Sequence, residues 1–225
     1  MDRNKYLERI NYSNKIAIND ETLIRLHEHH VMNVPFENLD IHYNKFFDLK
    51  LDSLYKKVVV CFRGGFCYEL NALFNVLLCD LGFKSRIIAA RIFDESGNLG
   101  LEYNHMSICV ETGKKYLADV GFGDLFTKPL EIRAGIQSDG RNLFKIERFN
   151  DQDFVLSMCS DQTNFHKKYT FNLNEVQMND FYEICLDKQT NPMSYFVKNI
   201  ICTKPTNTGR LTLFNRLVAM CNGLL

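Results

Sequence analysis

The sequence has no surplus of charge of either sign. Its 27 lysines and arginines balance 27 aspartates and glutamates across 225 residues. That balance argues against a uniformly basic surface of the kind that holds nucleic acid nonspecifically. No apolar run approaches bilayer-spanning length. The first residues, Met1-Asp2-Arg3-Asn4-Lys5, are charged and lead into a mixed amphipathic stretch without an apolar core, so no secretory leader is expected. None of the eight cysteines forms a C-x-x-C pair. With no leader, reduced thiols in a cytoplasmic protein are the expectation. Internal repeats and low-complexity tracts are also missing. What is present is a chain with 46% hydrophobic residues, enough for a substantial core in one large domain or a few small ones.

Hydrophobic periodicity changes partway along the chain. The first part reads helical. Tyr6, Leu7 and Ile10 share a face, and Asn19-Asp20-Glu21 offers an N-cap and acidic first turn for a helix through Leu23, Leu26 and His30. An extended segment broken by Pro35 follows, then a helix over 51–60. A further helix carries Leu70, Leu73, Phe74, Leu77 and Leu81, with Gly82 as its stop. Beyond it the spacing predicts strands at 85–93, 105–110, 115–120, 143–149, 154–158 and 168–171. The expected class is α+β with segregated layers. Its predicted divisions are a helical part, 1–84, a strand-rich part, 85–180, and a third part, 181–225.

The most informative stretch is Arg63-Gly64-Gly65-Phe66-Cys67-Tyr68-Glu69-Leu70-Asn71. It places Cys67 in the first turn of a helix, where unpaired N–H groups and the macrodipole stabilise a thiolate. A cysteine can equally pack as a small hydrophobe. The glycine pair points the other way, because it lets substrate or backbone approach the sulfur.

A cysteine nucleophile needs a base, and the base an orienting group. His105 opens one predicted strand and Asp119 lies near the end of the next. If Glu111, Thr112 and Gly113 form the connecting loop, His105 and Asp119 stand directly opposite on one face. A two-residue loop would put them on opposite faces.

Four blocks now resemble the arylamine N-acetyltransferases. They are Val34-Pro35-Phe36-Glu37-Asn38-Leu39, the Arg63–Asn71 stretch, His105-Met106 and Asp119-Val120-Gly121-Phe122-Gly123. The resemblance implies a papain-like fold: a helical domain, an antiparallel β-barrel and an α/β lid. It implies Cys67 as acetylated nucleophile, His105 as base and Asp119 as its orienter. It implies acetyl-CoA as donor, arylamines, arylhydrazines or N-hydroxyarylamines as acceptors, and no metal. By the same resemblance Phe36, Gly121, Phe122 and Gly123 contact substrate, and Glu37, Asn38, Arg63, Glu69 and Asn71 support the site. Arg63 and Glu37 are read as an ion pair bracing the loop before Cys67. Phe122 is open between stacking on an acceptor and core packing. Gly121-Phe122-Gly123 is open between a phosphate nest and a tight turn.

The sequence departs from the family pattern in two ways. It is short at the C-terminal end, so an incomplete lid, exposed apolar surface and self-association are expected. Asp124, just past the glycine turn, would repel CoA phosphates. Three other readings stand beside this one. His27-Glu28-His29-His30 suggests a metal site, but H-E-x-x-H fails at Val31 and a solvated helix end is expected instead. A papain-like hydrolase would use the same triad. A non-catalytic CoA- or small-molecule-binding protein would also fit a shortened lid.

Overall fold

Helices come first because the apolar residues of the N-terminal part recur at helical spacing and good caps are available. In the computed structural model, which describes residues 1–46, 48–160 and 163–222, α1 spans Arg3–Arg9 and α2 spans Asp20–Asn33. The Asn19 side chain accepts the Thr22 N–H and so caps α2. A two-residue strand β1, Phe36–Glu37, precedes the short helices α3, Leu39–His42, and α4, Leu51–Tyr55. The helix predicted over 51–60 is α-helical only to Tyr55. Lys56–Val60 widens into a π-turn, which delivers Lys57 to the carboxylates described below. Helix α5 runs Cys67–Asp80, so Cys67 is its first residue.

The strand-rich part is an antiparallel, nearly closed barrel. Its strands are β2 Lys84–Ile92, β3 His105–Glu111, β4 Lys115–Ala118, β5 Leu130–Glu131, β6 Ile136–Ser138, β7 Leu143–Arg148, β8 Phe154–Cys159 and β9 His166–Phe171. Their spatial order is β5-β4-β3-β2-β9-β8-β7-β6, two meanders joined where β2 meets β9. The first and last strands are bridged by Gln137, whose side-chain amide both accepts from the Glu131 N–H (2.9 Å) and donates to the Glu131 carbonyl (2.7 Å). Strands β5 and β6 were not anticipated, being too short to show periodicity.

Strand β3 is buried on both faces, which explains why apolar residues fill both of its sides from Met106 to Val110, with Ser107 bonded to the Ala118 carbonyl. Met106, Ile108 and Val110 join a core with Leu70, Phe74 and Leu77 of α5, while Cys109 faces the barrel interior with Ile88, Phe144 and Leu156. The third part adds α6, Tyr182–Thr190, the single turn α7, Tyr195–Lys198, and a hairpin ladder of β10 Ile201–Thr206, β11 Gly209–Phe214 and β12 Leu217–Asn222. The ladder is not independent of the helical part, because β1 pairs with β10.

Two expectations need correction. In the β3–β4 hairpin Glu111 pairs with Lys115, so the loop is Thr112-Gly113-Lys114, with Gly113 at φ 98°. The register is therefore one pair away from the expected one. Because the loop still has three residues, parity is kept: His105 and Asp119 share a face but stand diagonally, not directly opposite. The histidines of α2 also differ from expectation. His27 and His30 are each 0% exposed and not part of a solvated end. They lie on the face of α2 that packs on Phe74.

Candidate active site

Cys67 starts α5 and is only 4% exposed. Its approach is set by the chain before it. The Glu69 carboxylate turns back to accept the Phe66 N–H at 2.7 Å, fixing the first turn of the helix. Glu69 is itself held by Lys57, whose ammonium lies 2.8 Å from both Glu69 and Asp40. Arg63 binds Glu37 at 2.7 Å and Asp40 at 2.9 Å, closing a network of three carboxylates and two cations under the loop before Cys67. Burial pushes Glu69 up to about 7 against the pull of Lys57, whose charge is shared with Asp40 and Glu37.

His105 opens β3 on the barrel-facing side. Its Nε2 lies 2.7 Å from Asp119 Oδ2, and Cys67 is close enough for its sulfur to act on the ring. With Nε2 committed to the carboxylate, Nδ1 is the nitrogen left for the sulfur. Burial alone would lower the His105 pKa. Asp119 outweighs it, Cys67 adds to the effect, and the imidazole is held raised to about 9. Burial would likewise raise Asp119, yet the charge and hydrogen bond of His105, with Asn71 and the Gly121 N–H, leave it lowered.

Asp119 is saturated. Oδ1 accepts from Asn71 Nδ2 (2.9 Å) and the Gly121 N–H (3.1 Å), and Oδ2 accepts from His105 and from the Tyr169 hydroxyl (3.1 Å). Asn71 ties α5 to the β3–β4 hairpin. From α5 it donates to the Met106 carbonyl (2.7 Å) and to Asp119, and accepts the Val120 N–H (2.9 Å). Gly121 is required where the hairpin passes the helix: a Cβ there would lie 2.8 Å from Cys67 Cα and 2.8 Å from the Cys67 carbonyl oxygen.

Two participants escaped the sequence reading. His27 accepts the Asp119 backbone N–H at Nε2 (3.1 Å), and its Nδ1 lies 2.9 Å from the Thr127 carbonyl oxygen. Accepting at one nitrogen and donating at the other requires the neutral ring, and burial lowers its pKa to about 4. Tyr169 on β9 covers His105, with ring centroids 5.4 Å apart, besides donating to Asp119. Its only sequence signal was an aromatic at a barrel-facing position of a predicted strand.

The cleft over Cys67 has a volume of about 460 Å³ and is lined by Phe36, His105, Phe122, Lys188, Phe196 and Arg210 among others. Phe122 is half-buried, edge-on to His105 at 5.1 Å, so it both packs and faces the cleft. Gly121 and Gly123 also line it. The Gly121 N–H is already taken by Asp119, and the Gly123 carbonyl accepts from Arg210, which favours a tight turn over a phosphate nest. Asp124 sits exposed at the rim, 3.9 Å from the Lys168 ammonium, which offsets its charge. Asn38 lies away from the sulfur. It donates to the Phe196 (2.8 Å) and Asn199 (2.7 Å) carbonyls and accepts the Ile201 N–H (2.7 Å), holding the third part against β1.

A helix-borne thiol facing an imidazole and carboxylate delivered by a barrel hairpin defines a papain-like α+β protein. The comparisons narrow that class. A family model described as N-acetyltransferase matches residues 20–222. The arylamine N-acetyltransferase of Escherichia coli (strain K12) is 32% identical over 216 residues, covering 94% of this chain and 76% of the relative. The solved arylamine N-acetyltransferase of M. tuberculosis superposes with a TM-score of 0.90 at 30% identity, covering 97% of this chain and 83% of that one. That of Mycobacterium marinum, solved in complex with CoA, gives 0.88 at 28% identity, with 97% and 82% covered. The chain belongs to the arylamine N-acetyltransferase family. No helix among the described residues is long and apolar enough to cross a membrane.

Proposed function

We propose that this protein moves an acetyl group from acetyl-CoA to the nitrogen of an arylamine, arylhydrazine or N-hydroxyarylamine, in the cytoplasm, through an acetyl-Cys67 intermediate. The observation that carries the reading is the buried His105, hydrogen-bonded to Asp119 and sharing an aromatic-lined cleft with Cys67.

The steps follow from those groups. The Cys67 thiolate, paired with the His105 imidazolium, attacks the thioester carbonyl. The Cys67 N–H, one of the unpaired donors of the first helical turn, is placed to stabilise the tetrahedral oxyanion. The carbon–sulfur bond to CoA breaks, and the departing thiolate takes the proton from His105. CoA leaves and the amine enters the same cleft. Its nitrogen attacks acetyl-Cys67, His105 accepts its proton, and Cys67 departs as thiolate. Asp119 holds the imidazole orientation throughout and stabilises its charged form. Two half-reactions in one cleft predict ping-pong kinetics.

The test is to mix the protein with acetyl-CoA, with and without an aromatic amine or hydrazine, following CoA release and protein mass. A mass gain of one acetyl group, lost on adding amine and missing in Cys67→Ala, is the expected result. CoA release independent of amine would indicate hydrolysis. Neither release nor mass gain would indicate a binding protein, and either outcome would overturn the proposal.

A further inference from the structure

Lys188 is a basic residue in an aromatic setting beside the reactive sulfur. It lies on α6, half-buried, and its ammonium turns onto the rings of Phe196 (5.2 Å), Phe66 (5.9 Å) and Tyr68 (5.9 Å). It lines the same cleft as Cys67 and His105. No carboxylate among the described residues comes within ion-pairing distance of it. Asp187, its neighbour, is exposed and bonded to Asn191. Aromatic faces attract a cation but do not neutralise it, so an inward-turned ammonium without a counter-ion calls for one.

The charges of the site supply it. A thiolate, an imidazolium and the Asp119 carboxylate together carry one net negative charge, and Lys188 brings the group to neutrality. We propose that Lys188 is a positioning residue for the Cys67 thiolate: its ammonium, held among the rings of Phe66, Tyr68 and Phe196, stabilises the sulfur anion across the shared cleft. This rests on the reading of Cys67 as the nucleophile.

The titratable and charged groups around the pair are few. Lys188 feels Cys67 on α5 and Cys185 and Asp187 on its own helix. Cys67 feels His105 from β3, Tyr68 beside it and Cys185 from α6, while Asp124 and Arg210 stand at the cleft rim. Burial lowers the Lys188 pKa, and Cys67 is the largest of the charges that oppose that lowering. Reciprocity requires the ammonium to favour the thiolate in turn. The same charge also aids the second half-reaction. Once Cys67 is a neutral thioester, Lys188 is unbalanced and disfavours a proton on His105, leaving the ring free to accept one from the amine.

The experiment is alkylation of Cys67, followed by mass mapping of its peptide, as a function of pH in wild type, Lys188→Met, Lys188→Gln and Lys188→Arg. Two reagents are used, neutral iodoacetamide and anionic iodoacetate. For the Met and Gln variants the expected result is an upward shift of the Cys67 titration. Alkylation by iodoacetamide near pH 6 slows by about three- to ten-fold, and the iodoacetate-to-iodoacetamide rate ratio falls. The Arg variant restores both. Circular dichroism and unfolding midpoints confirm that the compared variants are folded, and two neutral replacements guard against the loss of one. A wild-type titration and reagent ratio in folded Met or Gln variants would overturn the proposal. If wild-type Cys67 itself titrates as an ordinary thiol, the nucleophile reading falls, a result distinguishable from failure of the Lys188 role alone.

Discussion

Two histidines with 1% exposure or less are driven in opposite directions by what they touch. His105 faces the Asp119 carboxylate and Cys67 and is held at about 9; His27 faces an N–H and a carbonyl and is lowered to about 4. Each shift has its own pH signature. The His27 value lies below its unfolded value of 6.5, so the unfolded chain takes up more protons between those values. The stabilisation is complete above pH 6.5 and lost as pH falls through 4, a loss on the order of 3 kcal/mol. Urea unfolding of wild type and His27→Gln between pH 7 and 4 checks this, with a shallower pH slope expected in the variant. The His105 contribution has the reverse sign, complete below pH 6.5 and lost as pH rises through about 9. Asp119→Asn removes the charge that raises His105, so burial is left largely unopposed and the imidazole pKa should fall. We expect kcat/KM at pH 7.5 to fall by about 10³-fold or more, with the alkaline limb of the pH–rate profile moved to lower pH. A wild-type profile in that variant would contradict the role given to Asp119.

At the scale of elements, the site is the seam between the start of α5 and the end of the β3–β4 hairpin. Asn71 and Gly121 set its width. Most of this was legible in the sequence. The helix from Cys67 and the strands around His105 and Asp119 announce themselves by periodicity. The hairpin's even offset puts both side chains on one face whichever of the two three-residue loops forms. The register itself was not legible, because Glu111 and Lys114 are both acceptable loop residues and only the ladder chooses between them. His27 was misread because polar residues on a helix normally signal solvent, and its partners lie about a hundred positions away. Lys188 gave no signal at all, since nothing local distinguishes a caged lysine from a solvated one. Gly121→Ala tests the seam. Its Cβ meets Cys67 backbone, which cannot rotate aside, so the hairpin must retreat from the helix. We expect the rate of Cys67 acetylation to drop by about 10²-fold, while the unfolding midpoint shifts by only a few degrees. Acetylation at the wild-type rate would show that the close approach is dispensable.

Across the whole molecule, the cleft wall formed by Ile201, Thr203 and Arg210 is carried by the β10–β12 ladder, which has little support of its own. Strand β10 pairs with the helical part at Phe36–Thr203 and Glu37–Cys202 and packs against α2, and β12 leaves Leu217, Val218 and Met220 at 65–72% exposure. Asn38 supplies much of the remaining attachment, through its bonds to Phe196, Asn199 and Ile201. Such a unit opens at a lower free energy than the barrel, whose strands bury two cores. Amide hydrogen exchange should therefore be faster in β10–β12 than in β2, β3 and β8. Asn38→Ala leaves the Ile201 N–H without its partner, at about 1–3 kcal/mol if it stays buried, while the Phe196 and Asn199 carbonyls keep only His42 Nε2, at 3.1 and 3.0 Å. The variant should lose protection selectively in 196–222, with β2 and β3 unchanged. Because Cys67, His105 and Asp119 are held by α5 and the hairpin and not by the ladder, the cost should fall on KM more than on kcat. Uniform loss of protection across the chain, or a fall in kcat with unchanged KM, would mean that the ladder and the triad open as one unit.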